Sequence, residues 1–343
     1  MRVIREVSGH DADVERAMQV PRTIVEQRTP FNVQVEFPDG EIVGTGWIPP
    51  MPDMRDYTPQ TEPVRAASQT LNVPSPENPA GPISATVPPS VDLRQWCSPI
   101  ENQLGLGSCT ANAAAGIVEY FERRAFDNYI DASRLFIYKT TRDLLGWVGD
   151  TGAYIRTAMG ALAMFGTPPE KYWPYTDAHQ PGLDGARTFD DEPSAFVYEV
   201  AEHWEAMNYF SLDPLGLNVP PATVLSNLKA YIAAGIPAMF GFYGFPSFSK
   251  TTVKGGIPYP CEGEEAQWGH AIVAVGYDDA KTVDNAVCQT STTGALLIRN
   301  SWGPAWGDGG YGWMPYEYVL NRLASDFWHL TSMRWLDTGR FGL

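Results

Sequence analysis

The sequence predicts an α+β fold, in which a mainly helical unit is followed by a β-rich unit and a cleft lies between them. Apolar residues recur at helical spacing through much of residues 109–165. After Gly255 the pattern changes to short apolar strands, of which HAIVAVGY at 270–277 and ALLIRN at 295–300 are the clearest. Two packed layers of this kind leave a cleft, which is the usual place for chemistry.

The first ninety residues precede this body. Residues 31–46 alternate apolar and polar side chains around Pro-Asp-Gly, a pattern that predicts a β-hairpin. The following stretch, 48–90, holds 11 of the 29 prolines, so extended backbone without ladder hydrogen bonds is expected there. We therefore predict four segments: a hairpin unit at 1–47, a proline-rich arm at 48–90, a helical domain at 91–215 and a β-rich domain at 216–343.

Within the body the individual elements follow from spacing and caps. The first helix begins at Cys109, and its last turn carries Arg123 and Arg124, which suit the negative end of the helix dipole. The predicted helices cover 109–124, 131–144, 152–165 and 221–234, and the last one leads into an apolar strand at 236–243.

Composition narrows the classes of partner. The net charge of −16 and the pI near 4.7 disfavour nucleic acid and anionic membrane surfaces as partners. The first 20 residues contain no apolar run of signal-peptide length, so a cytoplasmic location is the default expectation, with unconventional export left open. The four cysteines are irregularly spaced, which disfavours a metal site, and no cofactor is expected. The sequence leaves open whether Cys261 and Cys288 form a disulfide bridge.

Cys109 is the first candidate for chemistry. It follows a glycine-rich turn and begins a helix, where unpaired N–H groups and the helix dipole favour a thiolate. A single cysteine is also commonly a small buried apolar residue. Position alone therefore leaves both interpretations open.

Four other residues could complete a nucleophilic site with Cys109. His270 opens an apolar strand directly after Trp-Gly, so its ring could project into the cleft as a base. Asn300 can accept a hydrogen bond from the far ring nitrogen, and Trp302 could shield that bond from water or simply pack in the core. Gln103 can donate to an oxyanion, together with the backbone N–H of Cys109.

These residues resemble the papain-like cysteine peptidases. The resemblance runs from about Val91 to the C-terminus and rests on VDLR at 91–94, NQ…GSC at 102–109, GHAIVAVGY at 269–277 and RNSWGPAWGDGGYG at 299–312. It implies a helical domain and a β-barrel-like domain that flank the active-site cleft. It also implies four catalytic roles: nucleophile for Cys109, general base and then acid for His270, orienting residue for Asn300, and oxyanion donor for Gln103.

The resemblance also suggests where substrate would bind. The stretch at 150–166 lies where the family has a Gly-Gly pair whose backbone pairs with extended substrate, so Asp150, Thr151 and Gly152 are candidates for that pairing. Gly152 could equally be a helix-start glycine. Gly269, next to the base, is expected to leave room in the specificity pocket for a bulky apolar side chain two residues before the cleaved bond. Trp302 is counted with these substrate-binding candidates.

The chain departs from the family at Leu106 and Thr110, where a cysteine and a tryptophan are usual. The loss of the cysteine removes a customary disulfide partner, and the loss of the tryptophan changes the shape of the primed side of the cleft.

The N-terminal region has two interpretations. Family members are commonly made as zymogens whose pro-segment lies in the cleft and runs opposite to substrate, so residues 1 to about 85 are expected to inhibit the enzyme. A permanent surface extension is the alternative, and Trp47 and Tyr57 look like anchors in either case. The predicted activity is hydrolysis of polypeptides through an acyl-thioester. Transfer of the acyl group to an amine, or a binding protein without turnover, are the alternatives.

Overall fold

We describe a computed structural model of the protein. It describes residues 2–6, 33–37, 40–51, 53, 56–70, 73, 87–182, 186–333 and 336–337. Most of the predicted unit at 1–47, including Pro38 and Asp39 of the predicted turn, lies outside the described residues.

Four helices of the body match the four that the sequence predicts, whereas the short helices at Ala195–Ala201 and Tyr316–Leu320 were not predicted. The helix that starts at Cys109 is buried from Cys109 to Glu122, because its apolar face packs on its helical neighbours and on the sheet. The helices are α1 (Glu62–Thr70), α2 (Cys109–Phe126), α3 (Arg134–Leu145), α4 (Ile155–Phe165), α5 (Ala195–Ala201), α6 (Pro221–Ala233) and α7 (Tyr316–Leu320).

Eight strands form one antiparallel sheet. The strands are β4 (Ser90–Asp92), β5 (Ala206–Ser211), β6 (Ala238–Gly244), β7 (Trp268–Asn285), β8 (Thr290–Arg299), β9 (Tyr311–Pro315), β10 (Ala324–Met333) and β11 (Leu336–Asp337). Their order in the sheet is β11-β10-β6-β7-β8-β9, with β4 paired to β7 and β5 paired to β10. The predicted α+β class is therefore confirmed. Strands β4 and β5 belong to this sheet although they precede residue 216, where the predicted β-rich domain begins. The domain boundaries stay a prediction.

The sheet is not closed into a barrel, which corrects the barrel-like form implied by the resemblance. In the described part of the chain, the far edge of β9 faces a loop rather than another strand. Trp313 of β9 donates its N–H to Gly255 O (3.0 Å), and Ile257 N donates to Trp313 O (2.8 Å). These bonds satisfy the edge of β9 without closure.

The N-terminal region forms a second, smaller sheet. Its strands are β1 (Arg2–Glu6), β2 (Val33–Glu36) and β3 (Ile42–Gly44), all antiparallel. The β2–β3 pair agrees with the predicted hairpin at 31–46, whereas the sequence did not predict β1. Downstream, α1 interrupts the stretch at 48–90 that was expected to be extended. Its only proline, Pro63, lies in the first turn, where the missing N–H costs no helical hydrogen bond.

Cys261 and Cys288 form a disulfide across 27 residues, which fixes the pairing that the sequence left open. Disulfides persist where the surroundings are oxidising, so this bond is relevant to where the protein resides. The location stays a prediction. Among the described helices, none is both long and apolar enough to cross a membrane.

Three carboxyl groups lie together beneath the start of α3. Ligand oxygens of Glu101, Glu119 and Asp131 all lie within 4.8 Å of one another. Glu119 accepts from Ala132 N (2.9 Å), and Glu101 pairs with Arg134 (2.9 Å). Burial raises the pKa of Glu119 to about 7 and that of Glu101 to about 8.

We expect this cluster to stabilise the folded protein at acidic pH and to lose that contribution as the pH rises. The folded state keeps protons that the unfolded state releases above about pH 4.5. Each retained proton lowers the free energy of unfolding by about 1.4 kcal/mol for every unit of pH increase. The stabilisation is complete below that pH and is lost as the pH rises towards 7–8. Urea unfolding between about pH 7 and 8, a range in which the buried imidazole of His270 is mainly neutral in both states and adds little slope, should give a free energy of unfolding that falls with pH.

Two variants separate this cluster from other groups. Glu119→Gln should flatten the fall, because glutamine resembles the protonated acid in shape, can keep the hydrogen bond from Ala132 N and does not titrate. Glu62→Gln, at an exposed position on α1, is the matched control and should leave the slope unchanged. Equal slopes in Glu119→Gln and wild type would contradict the assignment.

Candidate active site

The Cys109 thiol lies at the start of α2 and is fully buried. Ser108, which precedes it, makes no side-chain cap and instead hydrogen-bonds Tyr175 OH (2.6 Å), so the first N–H groups of the helix are not capped by this side chain. Burial raises the pKa of the thiol to about 12, although the backbone N–H groups of Ala271 and Gly46 point towards the sulfur and oppose that shift. The thiol is therefore protonated at neutral pH.

His270 on β7 and Asn300, directly after β8, form the next part of the site. His270 Nε2 lies 2.8 Å from Asn300 Oδ1, and Ser301 N donates to the same oxygen at 2.8 Å. Since a backbone N–H needs an acceptor, this contact fixes the amide orientation, and the proton of the neutral imidazole is then on Nε2. The lone pair lies on Nδ1, which is buried and has no hydrogen-bond partner among the described residues. Burial lowers the pKa of His270 to about 3.

Aromatic rings enclose the imidazole. Trp302 stacks on His270 with ring centroids 4.4 Å apart, and Phe242 contacts the ring edge-on at 5.9 Å. All three side chains are buried. This shell keeps water away from the His270–Asn300 hydrogen bond and strengthens it.

Gln103 presents its side-chain amide to the same cleft. Its Nε2 donates to Gly44 O (3.0 Å) and to Leu106 O (2.8 Å), while its Oε1 accepts from Ser301 Oγ (2.6 Å). Ser301 therefore orients the donor, a role that sequence reasoning missed. Its place directly after Asn300 in the Asn-Ser-Trp run was the only available signal.

The cleft is occupied by the chain's own residues 42–48, which we call the cleft segment. Gly44 O accepts from Gln103 Nε2 and from Trp302 Nε1 (3.3 Å). Two residues later, Gly46 N donates to Gly269 O at 3.2 Å. The carbonyl of Gly44 thus occupies the place where Gln103 would stabilise an oxyanion. The backbone of the cleft segment at Gly46 passes directly over the Cys109 thiol.

The cleft segment also pairs with the opposite wall of the cleft. Ala153 N donates to Gly46 O (2.8 Å) and Ile48 N donates to Ala153 O (3.1 Å), so Trp47 forms a parallel bridge with Ala153. In a parallel bridge, one residue bonds the two neighbours of its partner, whereas an antiparallel partner exchanges both bonds itself. The segment is therefore parallel to this wall.

The contacts of the predicted substrate residues differ from the expectation. The wall pairs through Ala153, one residue beyond the predicted set. Asp150 is structural: its carboxylate accepts from Gly107 N (2.9 Å) and Tyr138 OH (2.6 Å), which fixes the loop before the thiol. Thr151 donates its hydroxyl to Gly152 O at 3.0 Å. Gly152 does touch the segment, since a Cβ there would lie 2.4 Å from Gly46 O.

The structure places the space for a bulky side chain at a glycine other than Gly269. Gly269 contacts the segment through its carbonyl, and Trp302 contacts the segment through its indole N–H. The space for a large side chain lies instead at Gly241 on β6, where a Cβ would be 1.9 Å from the ring of Trp47. The sequence pattern did not single out this glycine, because it lies inside an apolar strand.

Comparison with known proteins agrees with this geometry. The model of the papain family of cysteine proteases matches residues 87–322. The chain belongs to this family. One similar protein is an uncharacterized peptidase C1-like protein of Acanthamoeba polyphaga mimivirus. It is 34% identical to this chain over 69% of this chain and 71% of that protein. Human cathepsin L2 is 25% identical over 67% of this chain and 61% of its own length.

The solved structure of xylellain, a cysteine protease from Xylella fastidiosa, is 31% identical with a TM-score of 0.64. That alignment covers 85% of this chain and 97% of xylellain, a larger share of this chain than the family model matches. The family and these relatives make the protein a hydrolase of the cysteine peptidase class. In such an enzyme, the described side chains can supply a thiol, a base, an orienting amide and an oxyanion donor within one cleft.

We expect Cys109 of the intact chain to react slowly with iodoacetamide at pH 8. A buried thiol with a pKa near 12 is almost entirely protonated at that pH, and the cleft segment blocks access. Peptide mass spectrometry should show alkylation at Cys109 at least about tenfold slower than that of a small free thiol in the same tube. Equal rates would contradict the closed, protonated site.

Proposed function

We propose that this protein is a cysteine endopeptidase whose own N-terminal region inhibits it by filling the active-site cleft. The observation that carries the proposal is the hydrogen bond from Gln103 Nε2 to Gly44 O, because it places a carbonyl of the cleft segment at the oxyanion donor. The family membership supports the chemistry, and the position of the segment supports the inhibition.

The proposed reaction uses the four predicted catalytic residues. With the cleft open, His270 Nδ1 takes the proton of Cys109, and the sulfur attacks the scissile carbonyl carbon. The oxyanion accepts hydrogen bonds from Gln103 Nε2 and from the backbone N–H of Cys109. His270 then protonates the leaving amine, which leaves an acyl-thioester that water hydrolyses. Asn300 holds the imidazole in the tautomer that these steps need.

The closed form has the wrong protonation states for this reaction. Burial holds Cys109 as a thiol and His270 as a neutral imidazole, with pKa values near 12 and 3. Departure of the cleft segment would readmit water to both groups, and the loss of desolvation moves both pKa values back towards their ordinary range. Inhibition therefore acts on the charge state of the site as well as on access.

The cleft segment also has features of an inhibitor rather than a substrate. It lies parallel to the wall at Ala153, whereas a substrate residue that exchanges both backbone bonds with Ala153 would be antiparallel. Further along the arm, Arg156 on α4 pairs with Asp53 (2.8 Å) and Asp56 (2.5 Å). Ser211 N donates to Tyr57 O at 2.9 Å, so the arm is held well beyond the cleft.

Two alternatives use the same residues. Transfer of the acyl group to an amine differs only in the nucleophile that reaches the thioester. A permanent extension differs from a pro-region only in whether it leaves the cleft. Intact mass, peptide hydrolysis and the products formed with an added amine separate both alternatives from the proposed zymogen.

We expect the purified wild-type chain to lose about 85 N-terminal residues with time under reducing conditions, while hydrolysis of a fluorogenic peptide rises in step. Cys109→Ala should keep its full mass and hydrolyse nothing, because the acyl-enzyme cannot form. Intact mass and fluorescence are measured together, and an added amine reports transfer as a new product mass. Loss of the same residues in Cys109→Ala would argue against self-processing.

A substitution in the cleft segment should activate the full-length enzyme. A Cβ at residue 46 would lie 2.2 Å from Gly107 O, so Gly46→Ala cannot keep the segment in place. We expect initial peptide hydrolysis by Gly46→Ala to exceed that of wild type by at least about tenfold, corresponding to a destabilisation of about 1.4 kcal/mol or more.

Ile42→Ala is the matched control, since this side chain lies in the same segment and is exposed. It should leave the rate near that of wild type. An unchanged rate in Gly46→Ala, with the protein folded, would contradict inhibition by the cleft segment.

A further inference from the structure

The cleft segment fills a deep pocket with one side chain. Trp47 is fully buried, and its indole lies against Gly241 and meets Tyr243 edge-on with ring centroids 5.2 Å apart. At the end of the pocket, Trp47 Nε1 donates to Asp326 Oδ2 at 3.1 Å. The pocket therefore has apolar walls and one polar atom at its floor.

Asp326 is an unusual floor for such a pocket, because it is a carboxyl group with only 3% of its surface exposed. The structure holds it firmly in place: its other oxygen accepts from Trp328 Nε1 (2.6 Å), and Asp213 accepts from the backbone N–H of Asp326 (2.9 Å) and Phe327 (2.7 Å). Its backbone is in the left-handed region, with φ of 64°. Burial raises the pKa of Asp326 to about 7.

The pocket belongs to a defined substrate position. Trp47 is the residue opposite Ala153, so a substrate residue that exchanges both backbone bonds with Ala153 would send its side chain into the same pocket. The next substrate residue would offer its N–H to Gly269 O and its carbonyl to Gln103, as Gly46 and Gly44 do in the segment. The pocket thus receives the side chain next to the residue that carries the scissile carbonyl.

Departure of the cleft segment leaves Asp326 Oδ2 without the donor that it has in the closed form. A ligand that fills the pocket but has no N–H would exclude water and leave this oxygen unpaired, which weakens its binding by about tenfold or more. Sites that hydrogen-bond a ligand discriminate strongly against analogues that lack the donor, whereas apolar walls alone discriminate weakly. The polar floor should therefore dominate the selectivity of the pocket.

We propose that Asp326 is a specificity-determining residue that makes this peptidase select polypeptides with tryptophan, a large ring with a neutral N–H donor, as the second residue before the cleaved bond. The proposal rests on the proposed function and deepens it. It also refines the expectation of a merely bulky apolar side chain at that position. Phenylalanine has no donor, and arginine lacks the ring that fits against Gly241 and Tyr243.

The first test measures binding and needs no turnover. In the full-length Cys109→Ala chain that also carries Trp47→Ala, the pocket is vacated and cleavage is blocked. Calorimetry then compares blocked tetrapeptides that differ only in tryptophan or 3-benzothienylalanine, a near-isostere in which sulfur replaces the N–H. The remaining arm competes with both peptides by the same factor, which cancels from the ratio of affinities.

We expect the tryptophan peptide to bind at least about tenfold more tightly. Adding Asp326→Asn should reduce this ratio to within about twofold. Asparagine tolerates the left-handed backbone, and its single carbonyl oxygen stays with Trp328 Nε1, so an NH₂ group faces the pocket. Gly241→Ala is the matched control for size: it should weaken both peptides and leave their ratio unchanged.

The second test measures kcat/KM for the same two peptides with full-length Gly46→Ala. A tenfold preference for tryptophan in both tests supports the proposal. Equal binding of the two peptides, or tighter binding of an arginine peptide, overturns it. A tenfold binding preference without any hydrolysis supports the pocket assignment and contradicts the peptidase function, so the two failures are distinguishable.

Discussion

The close approach of Gly44 and Gly46 to the loop before Cys109 is the constraint on which the closed structure depends. A Cβ on Gly44 would lie 2.0 Å from Leu106 O, and one on Gly46 would lie 2.2 Å from Gly107 O. Without these two glycines the backbone could not reach Gln103, Gly269 and the thiol together. The same approach excludes water, which is why Cys109 and His270 are both neutral in the closed form.

The sequence predicted the elements that local pattern determines. The helix that begins at Cys109 and the strand that begins near His270 are strongly periodic, and the α+β class and the family are confirmed. The individual catalytic roles stay predictions that the geometry supports. Ser301 was missed because its role is to hold Gln103, a residue 198 positions away, and no local pattern encodes such a contact.

The substrate wall and the pocket were predicted less well for a related reason. Pairing through Ala153 rather than Asp150 or Thr151 depends on the register between two distant segments, and a shift of a few residues is invisible in the composition of either. The open sheet likewise results from a loop that covers the edge of β9. That loop competes with strand closure through backbone hydrogen bonds, which any residue type can make.

The contacts of the arm differ greatly in what they contribute to closure. The ion pairs of Arg156 are largely buried, since Asp53 and Asp56 are 16% and 7% exposed, and the cost of removing these charges from water offsets much of their attraction. Full burial of a large aromatic side chain such as Trp47 contributes more, about 2–3 kcal/mol or above, and its hydrogen bond to Asp326 adds to this. Closure therefore depends mainly on the cleft segment itself.

This distribution makes the covalent linkage of the arm important. While the chain is intact, the cleft segment competes with substrate at an effective concentration on the order of millimolar, so even a modest intrinsic affinity keeps the cleft closed. A cut in the linker between α1 and the body would leave every contact of the cleft segment unchanged and would remove only this advantage. The segment would then dissociate according to its own affinity, and inhibition would become dependent on dilution.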